Sequence, residues 1–196
     1  MNTLLEISLF LIQFLGGLLV IVFLLRFLLQ LSRASFYNPI AQTIYKITHV
    51  PTNTLGKVLP PYRTFNTASL TLALLVEFIT IVASIAIASG GAFGNLLYPA
   101  LWSLIGVAST VLNVYFYSIF VVVIVSWVAP RTNHPAVSLV CQLVEPVIAP
   151  VRRVIPPMGG LDLSTMGVLL IIMVLRIALG NFAKASYLPL SLVPGI

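Results

Sequence analysis

Charged residues are scarce in this chain: they make up 7% of its 196 residues, against 60% hydrophobic residues and a mean hydropathy of +1.12. A soluble domain carries about 25% charged residues, because most of its surface faces water. With so few, this chain cannot cover itself with solvated groups, and its outer surface must face lipid. Cysteine is nearly absent. Cys141 stands alone, which excludes an intramolecular disulfide framework. Histidine is limited to His49 and His134, both in connecting segments. A structural zinc site needs four clustered ligands, and an embedded b-type haem needs an axial ligand inside the bundle, so neither a metal nor a cofactor is expected. His134 and Cys141 could share a helix face, but two ligands do not make a selective metal site. Ser126 and Ser164 have no base near them in sequence, so the chain reads as non-enzymatic. Acidic residues number 4 against 10 basic ones, a formal charge of +6. No basic stretch interleaves with aromatics as a nucleic-acid face would, and direct nucleic-acid binding is not expected.

What the chain has in quantity is long apolar runs. Four reach the length of about 20 residues that spans a hydrocarbon core: residues 4–31, 67–89, 98–129 and 163–183. The first and third exceed the minimum and can tilt or begin with an interfacial turn. The start of the chain lacks a basic n-region and an A-x-A site, so it is expected to remain as a mature helix. Charge placement predicts the orientation. The segment 32–66 holds Arg33, Lys46, Lys57 and Arg63 with no acid, and 130–162 holds Arg131, Arg152 and Arg153 with Glu145 and Asp162. The turn Gly90–Pro99 has no charge, the N-terminus offers only Glu6, and Lys184 is the one dissenting base. Lys/Arg excess marks the cytoplasmic side, so both long loops are expected inside and both termini outside.

Sliding the chain on itself by about 95 residues aligns the two halves: Pro51 falls on Pro146, Lys57 on Arg152, Pro61 on Pro156, and Thr67 on Asp162. The fold expected is all-α, with four transmembrane helices arranged as two parallel tandem repeats, 1–89 and 98–196, joined by a short external linker over 90–97. Each repeat reads as helix, interfacial amphipathic loop helix, helix. Asn38 is a good N-cap and Pro39 a good first helical residue. Ile40, Ile44 and Ile47 follow at helical spacing, and Pro51 should end that helix by removing a donor. In the second copy Pro135 starts a helix carrying Val137, Val140 and Val144, and Pro146 should stop it. Such one-sided helices suit the headgroup boundary, with Lys57, Arg63, Arg152 and Arg153 placed to meet lipid phosphates.

At these residues the chain resembles the YggT family, also called YlmG-like. The resemblance rests on Asn38-Pro39 with Pro51, Lys57 and Pro60-Pro61, and on Pro135 with Glu145-Pro146, Pro150, Arg152-Arg153 and Pro156-Pro157. The run Gly159-Gly160-Leu161-Asp162-Leu163-Ser164 belongs to the same pattern, which covers nearly the whole chain. The first copy departs from it where His49-Val50 precedes Pro51 and where Thr67 stands for the aspartate. The resemblance implies no shared catalytic activity. It implies a role in membrane-complex assembly, in nucleoid or cell-division organisation, or in osmotic and potassium homeostasis.

Three charges fall inside the spans: Arg26, Glu77 and Arg176. Each costs about 2.5–3.5 kcal/mol on the insertion scale and so calls for an explanation. One reading is a buried ion pair of Glu77 with either arginine, the other arginine snorkelling to a headgroup. The other is an ion or proton pathway using Glu77, with Asn113 as a polar neighbour. Gly16-Gly17 and Gly106 read as close helix-packing positions. The function expected is a scaffold or assembly factor of the bacterial inner membrane. Its basic loops would meet anionic lipid and a membrane or cytoplasmic protein partner, or a second copy of the chain. The alternative is an ion channel or transporter component.

Overall fold

The computed structural model describes residues 3–89, 95–129, 132–154 and 163–186, with the backbone alone at 163. These residues form six α-helices and no strand: α1 Thr3–Leu31, α2 Pro39–Gly56, α3 Thr67–Ala88, α4 Leu97–Val128, α5 Pro135–Val154 and α6 Leu163–Ala185. Five of them, all but α2, are long and apolar enough to cross a membrane by length and composition. The sequence led to four, because it ended the second loop helix at Pro146.

Neither proline stops its helix. Pro51 lies inside α2, and Pro146 and Pro150 lie inside α5. An interior proline costs about 3 kcal/mol through one lost hydrogen bond and a clash with the preceding turn. Burial on both sides of the proline opposes that cost. Thr48 and Thr52 are buried on either side of Pro51, and Val144 and Ile148 are buried on either side of Pro146 in one shared apolar cluster. The predicted stripes were assigned to the headgroup boundary, and the faces turned to the protein are other ones. On α2 the inward residues are Ala41, Thr48 and Thr52, while Ile47 is 65% exposed. On α5 they are Leu139, Leu143, Val144 and Ile148, and among these Val144 belongs to the stripe that was expected at the headgroup boundary.

The local punctuation is readable residue by residue. α1 ends in a Schellman motif: Ala34 N–H donates to Leu29 O at 2.9 Å and Arg33 N–H to Gln30 O at 3.2 Å. Arg33 takes the left-handed conformation, φ 55°, that this motif requires and that glycine usually supplies. The Asn38 side chain caps α2 by accepting from Ile40 N–H at 2.9 Å, and Asn66 caps α3 by accepting from Ser69 N–H at 2.9 Å. His134 Nδ1 accepts from Ala136 N–H at 3.2 Å, the same service at the start of α5. Helix starts Pro39 and Pro135, and Thr67 and Leu163, stand one residue further apart than the predicted offset. Asn66, not Thr67, therefore corresponds to Asp162, and Lys57 corresponds to Arg153. Asp162 and Pro156-Pro157 lie outside the described residues.

Packing places the helices. α1 lies against α3, and a Cβ on Gly16 would overlap the Thr80 side chain. Val20, Phe23 and Leu24 of α1 pack with Ala73 of α3 and Val107 of α4. Ile119 of α4 packs with Val144 and Ile148 of α5 and Val168 and Ile172 of α6. Further along, Ile105 of α4 meets Ala183 of α6 and Ile81 of α3. α6 therefore runs antiparallel to α4. The outer faces keep large apolar side chains exposed, Phe10, Phe14, Phe120, Ile124, Leu170 and Val174 among them, as a surface in contact with lipid requires.

Candidate functional site at the basic end of the bundle

The three intramembrane charges do not assemble. Arg26, 8% exposed near the end of α1, turns to α2: its Nη1 donates to Thr48 Oγ1 at 2.9 Å and to Tyr45 O at 3.2 Å. Its guanidinium carbon sits 4.3 Å from the centre of the Tyr45 ring, a cation–π contact. Arg176 on α6 lies over the Phe116 ring of α4 at 4.9 Å. Glu77 is fully buried, and neither carboxyl oxygen has a hydrogen-bond partner among the described residues. The predicted ion pair of Glu77 with an arginine is therefore absent. One turn to either side, Ala73 packs with Val20 and Val107, and Ile81 packs with Ile105, so Glu77 lies where α3 faces α1 and α4. Asn113 is half-buried further along α4. The cause is geometric: α2 folds back over the end of α1 and supplies hydroxyl, carbonyl and ring partners that claim Arg26 before a carboxylate can.

The loop residues do converge. Asn38 Nδ2 donates to Pro135 O at 2.7 Å, and Ser35 N–H donates to Gln142 Oε1 at 2.6 Å. These bonds tie the start of α2 to α5, so both basic segments share one end of the bundle. Pro39 and Pro135 are the first residues of their helices, as predicted. Lys57 and Arg153 are exposed. Arg63 takes φ 53° in a tight turn closed by Tyr62 N–H to Phe65 O at 3.0 Å, and its guanidinium lies 5.6 Å from the Tyr62 ring centre. Arg152 forms an ion pair with Glu145 at 3.2 Å, so Arg153 is the barer of the two charges. The Cys141 thiol, exposed on α5, is pushed up from its ordinary value, first by burial and then by the Glu145 charge.

Between α1, α2 and the start of α3 lies a cavity of about 370 Å³. Arg26, Gln30, Tyr45, Thr52, Asn53 and Asn66 supply its polar wall. Sequence reasoning missed Tyr45, Thr48 and Thr52. The signal was there in the Ala41, Thr48, Thr52 spacing, which puts three small side chains on one helical face, but the isoleucine stripe was the louder pattern. Among the described residues no group of three His, Cys, Asp or Glu side chains could hold a metal ion.

A bundle of long helices with apolar outer faces and one basic, helix-covered end defines an all-helical membrane protein. Comparison with known proteins narrows the class. The CCB3/YggT family model matches residues 5–87 and again residues 101–183, and the chain belongs to that family. An uncharacterised protein of Pseudomonas aeruginosa is 36% identical over 183 residues, 93% of either chain. The uncharacterised protein YggT of Escherichia coli K12 is 29% identical over 179 residues, 90% of this chain and 91% of that one. An uncharacterised Vibrio alginolyticus protein from the proC 3′ region is 37% identical over 160 residues, 80% of this chain and 84% of that one. No solved structure matches the chain significantly.

Proposed function

We propose that the protein is a non-enzymatic scaffold or assembly factor of the bacterial inner membrane whose working surface is the platform made by α2 and α5. The observation that carries this reading is the pair of bonds from Asn38 to Pro135 and from Ser35 to Gln142. They join two loop helices, each attached to its own pair of long helices, into one rigid surface. That surface presents Lys57, Arg63 and Arg153 beside Tyr37 at 91% and Val50 at 72% exposure, a mixture suited to a protein partner at the headgroup level.

In this reading α1, α3, α4 and α6 cross the membrane, both termini lie outside, and the two family matches are parallel tandem repeats. Two facts support leaving α5 at the interface. α6 runs back along α4, so its start lies at the end where α5 also begins. A fully extended return over 155–162 covers at most about 3.3–3.6 Å per residue, which barely equals one hydrocarbon thickness.

A photocrosslinking amino acid placed at Val50, and in a second variant at Leu170 on the outer face of α6, tests the platform in cells. Discrete protein adducts from Val50, weakened by Arg152→Gln with Arg153→Gln, are expected, with lipid-sized adducts alone from Leu170. Identical adducts from both positions would remove the platform from consideration.

A further inference from the structure

We propose that the cavity between α1, α2 and the start of α3 is a binding site for a phosphate-bearing anionic group, held by Arg26 and Thr52. The surface bases discussed above take no part in it. The proposal rests on the platform reading only in placing the cavity near the headgroup level.

Arg26 is the starting point. It is more than nine-tenths buried, it cannot lose its proton, and no carboxylate lines the cavity or pairs with it among the described residues. Its Nη1 is committed to Thr48 and to the Tyr45 carbonyl, while its Nε donor has no partner among the described residues. A guanidinium in this state is anchored through Nη1 and keeps an enclosed, unused donor at Nε. Burying an uncompensated charge is costly, and the compensation comes from whatever fills the space beside it. Thr52 adds a second, independent signal. It is 3% exposed, its Oγ1 has no partner among the described residues, and it lines the same cavity. An N–H donor and an O–H donor, both enclosed and unused among the described residues, belong to side chains that line a space with room for more than a bare ion, and a small side-chain rotation brings them to a bound group. Phosphate oxygens accept from both donors, and the planar guanidinium suits them.

The other half of the chain shows that the fold does not require this polarity. Counting from the paired helix starts Pro39 and Pro135, the places of Arg26, Thr48 and Thr52 are taken by Val122, Val144 and Ile148. There Val144 and Ile148 are buried in one apolar cluster with Val122 packed against it. Closing the space under a loop helix thus needs only apolar side chains. The half with α2 instead holds a cation, two hydroxyls and a cavity. Arg26 lies five residues from the end of α1, about 8 Å at 1.5 Å per residue, a depth that a lipid phosphate reaches. Ala41, Ile44 and Phe36 on the remaining wall can take a glycerol or the start of an acyl chain.

The test is direct binding to the purified full-length protein in a neutral detergent, measured by native mass spectrometry. One arm uses a short-chain phosphatidylglycerol and the other uses inorganic phosphate. Wild type should hold one phosphatidylglycerol saturably. Competition by phosphate would make the anion itself the ligand, and its failure to compete would assign the site to lipid. Both results support the site. Arg26→Gln should weaken binding at least tenfold, as loss of a hydrogen bond to a charged group does. Thr52→Val keeps the shape and leaves the Arg26 bonds in place, so it should fold normally and still weaken binding severalfold. Arg153→Gln should bind as wild type does. The proposal fails if neither probe binds, if Thr52→Val binds as wild type, or if Arg153→Gln loses as much as Arg26→Gln. Loss of the Val50 protein adducts would leave this result untouched, so the two ideas stand or fall separately.

Discussion

Replacing Gly16 by alanine should destabilise the α1–α3 pair by roughly 1–3 kcal/mol, the usual cost of forcing extra atoms into a packed interface. The added Cβ would overlap Oγ1 and Cγ2 of Thr80 and come within 2.9 Å of its Cβ. Thr80 cannot easily swing away. It is buried, and its hydroxyl donates to Val76 O at 2.8 Å. The helices must therefore move apart, loosening Val20, Phe23 and Leu24 from Ala73. The assay is a thermal unfolding midpoint in detergent, followed by the loss of monodisperse protein on heating. Thr80→Ala in the Gly16→Ala background removes Oγ1 and Cγ2 but leaves the Cβ, so it should restore part of the lost midpoint. Thr80→Gly removes all three overlapping atoms and should show the larger coupling, within the range of about 0.5–3 kcal/mol found for residues in contact. If Gly16→Ala unfolds at the wild-type midpoint, or if neither Thr80 change couples to it, the close approach of α1 and α3 at this level is wrong.

Asn38→Ala should cost about 0.5–2 kcal/mol for the lost cap, plus about 1 kcal/mol for the bond to Pro135. Asn38→Asp should retain the cap and lose only the second part, and equal midpoints for the two variants would contradict this division. Glu77→Gln replaces a buried acid that has no hydrogen-bond partner among the described residues with a neutral isostere and should leave the midpoint unchanged or raise it, whereas Glu77→Ala opens a cavity and should lower it. A Gln variant as unstable as the Ala variant would mean that the carboxyl has a partner. Because burial and Glu145 both push the Cys141 thiol up, less thiolate is present at neutral pH, and maleimide labelling should accelerate as pH rises past the ordinary thiol range. Glu145→Gln removes one of the two causes and should speed labelling at neutral pH; an unchanged rate would exclude that charge. Labelled with an impermeant maleimide, Cys141 should react in inverted vesicles and resist in intact spheroplasts, and the reverse pattern would overturn the orientation.

The sequence by itself determined what local chemistry determines. Scarce charge and long apolar runs identified a membrane protein, and the four long runs reappear as α1, α3, α4 and α6 to within about two residues. Asn38-Pro39 announced the start of α2 because an N-cap and an N1 proline act within one turn. Tertiary structure decided whatever depends on neighbours distant in the chain. A proline is a helix stop only when nothing holds both arms, and the burial of Thr48 with Thr52, and of Val144 with Ile148, carries α2 and α5 through. The isoleucine pattern pointed to the face of α2 that meets the headgroup boundary, but only packing shows that Ala41, Thr48 and Thr52 form the face turned to the protein. The fate of the membrane charges was beyond any sequence pattern. Depth along a helix says which charges could meet, but the fold of α2 over α1 decides that Arg26 bonds to Thr48 and Tyr45 while Glu77 stays apart. Partners of a buried charge are chosen by three-dimensional proximity, and proximity between segments dozens of residues apart exists only once the chain has packed.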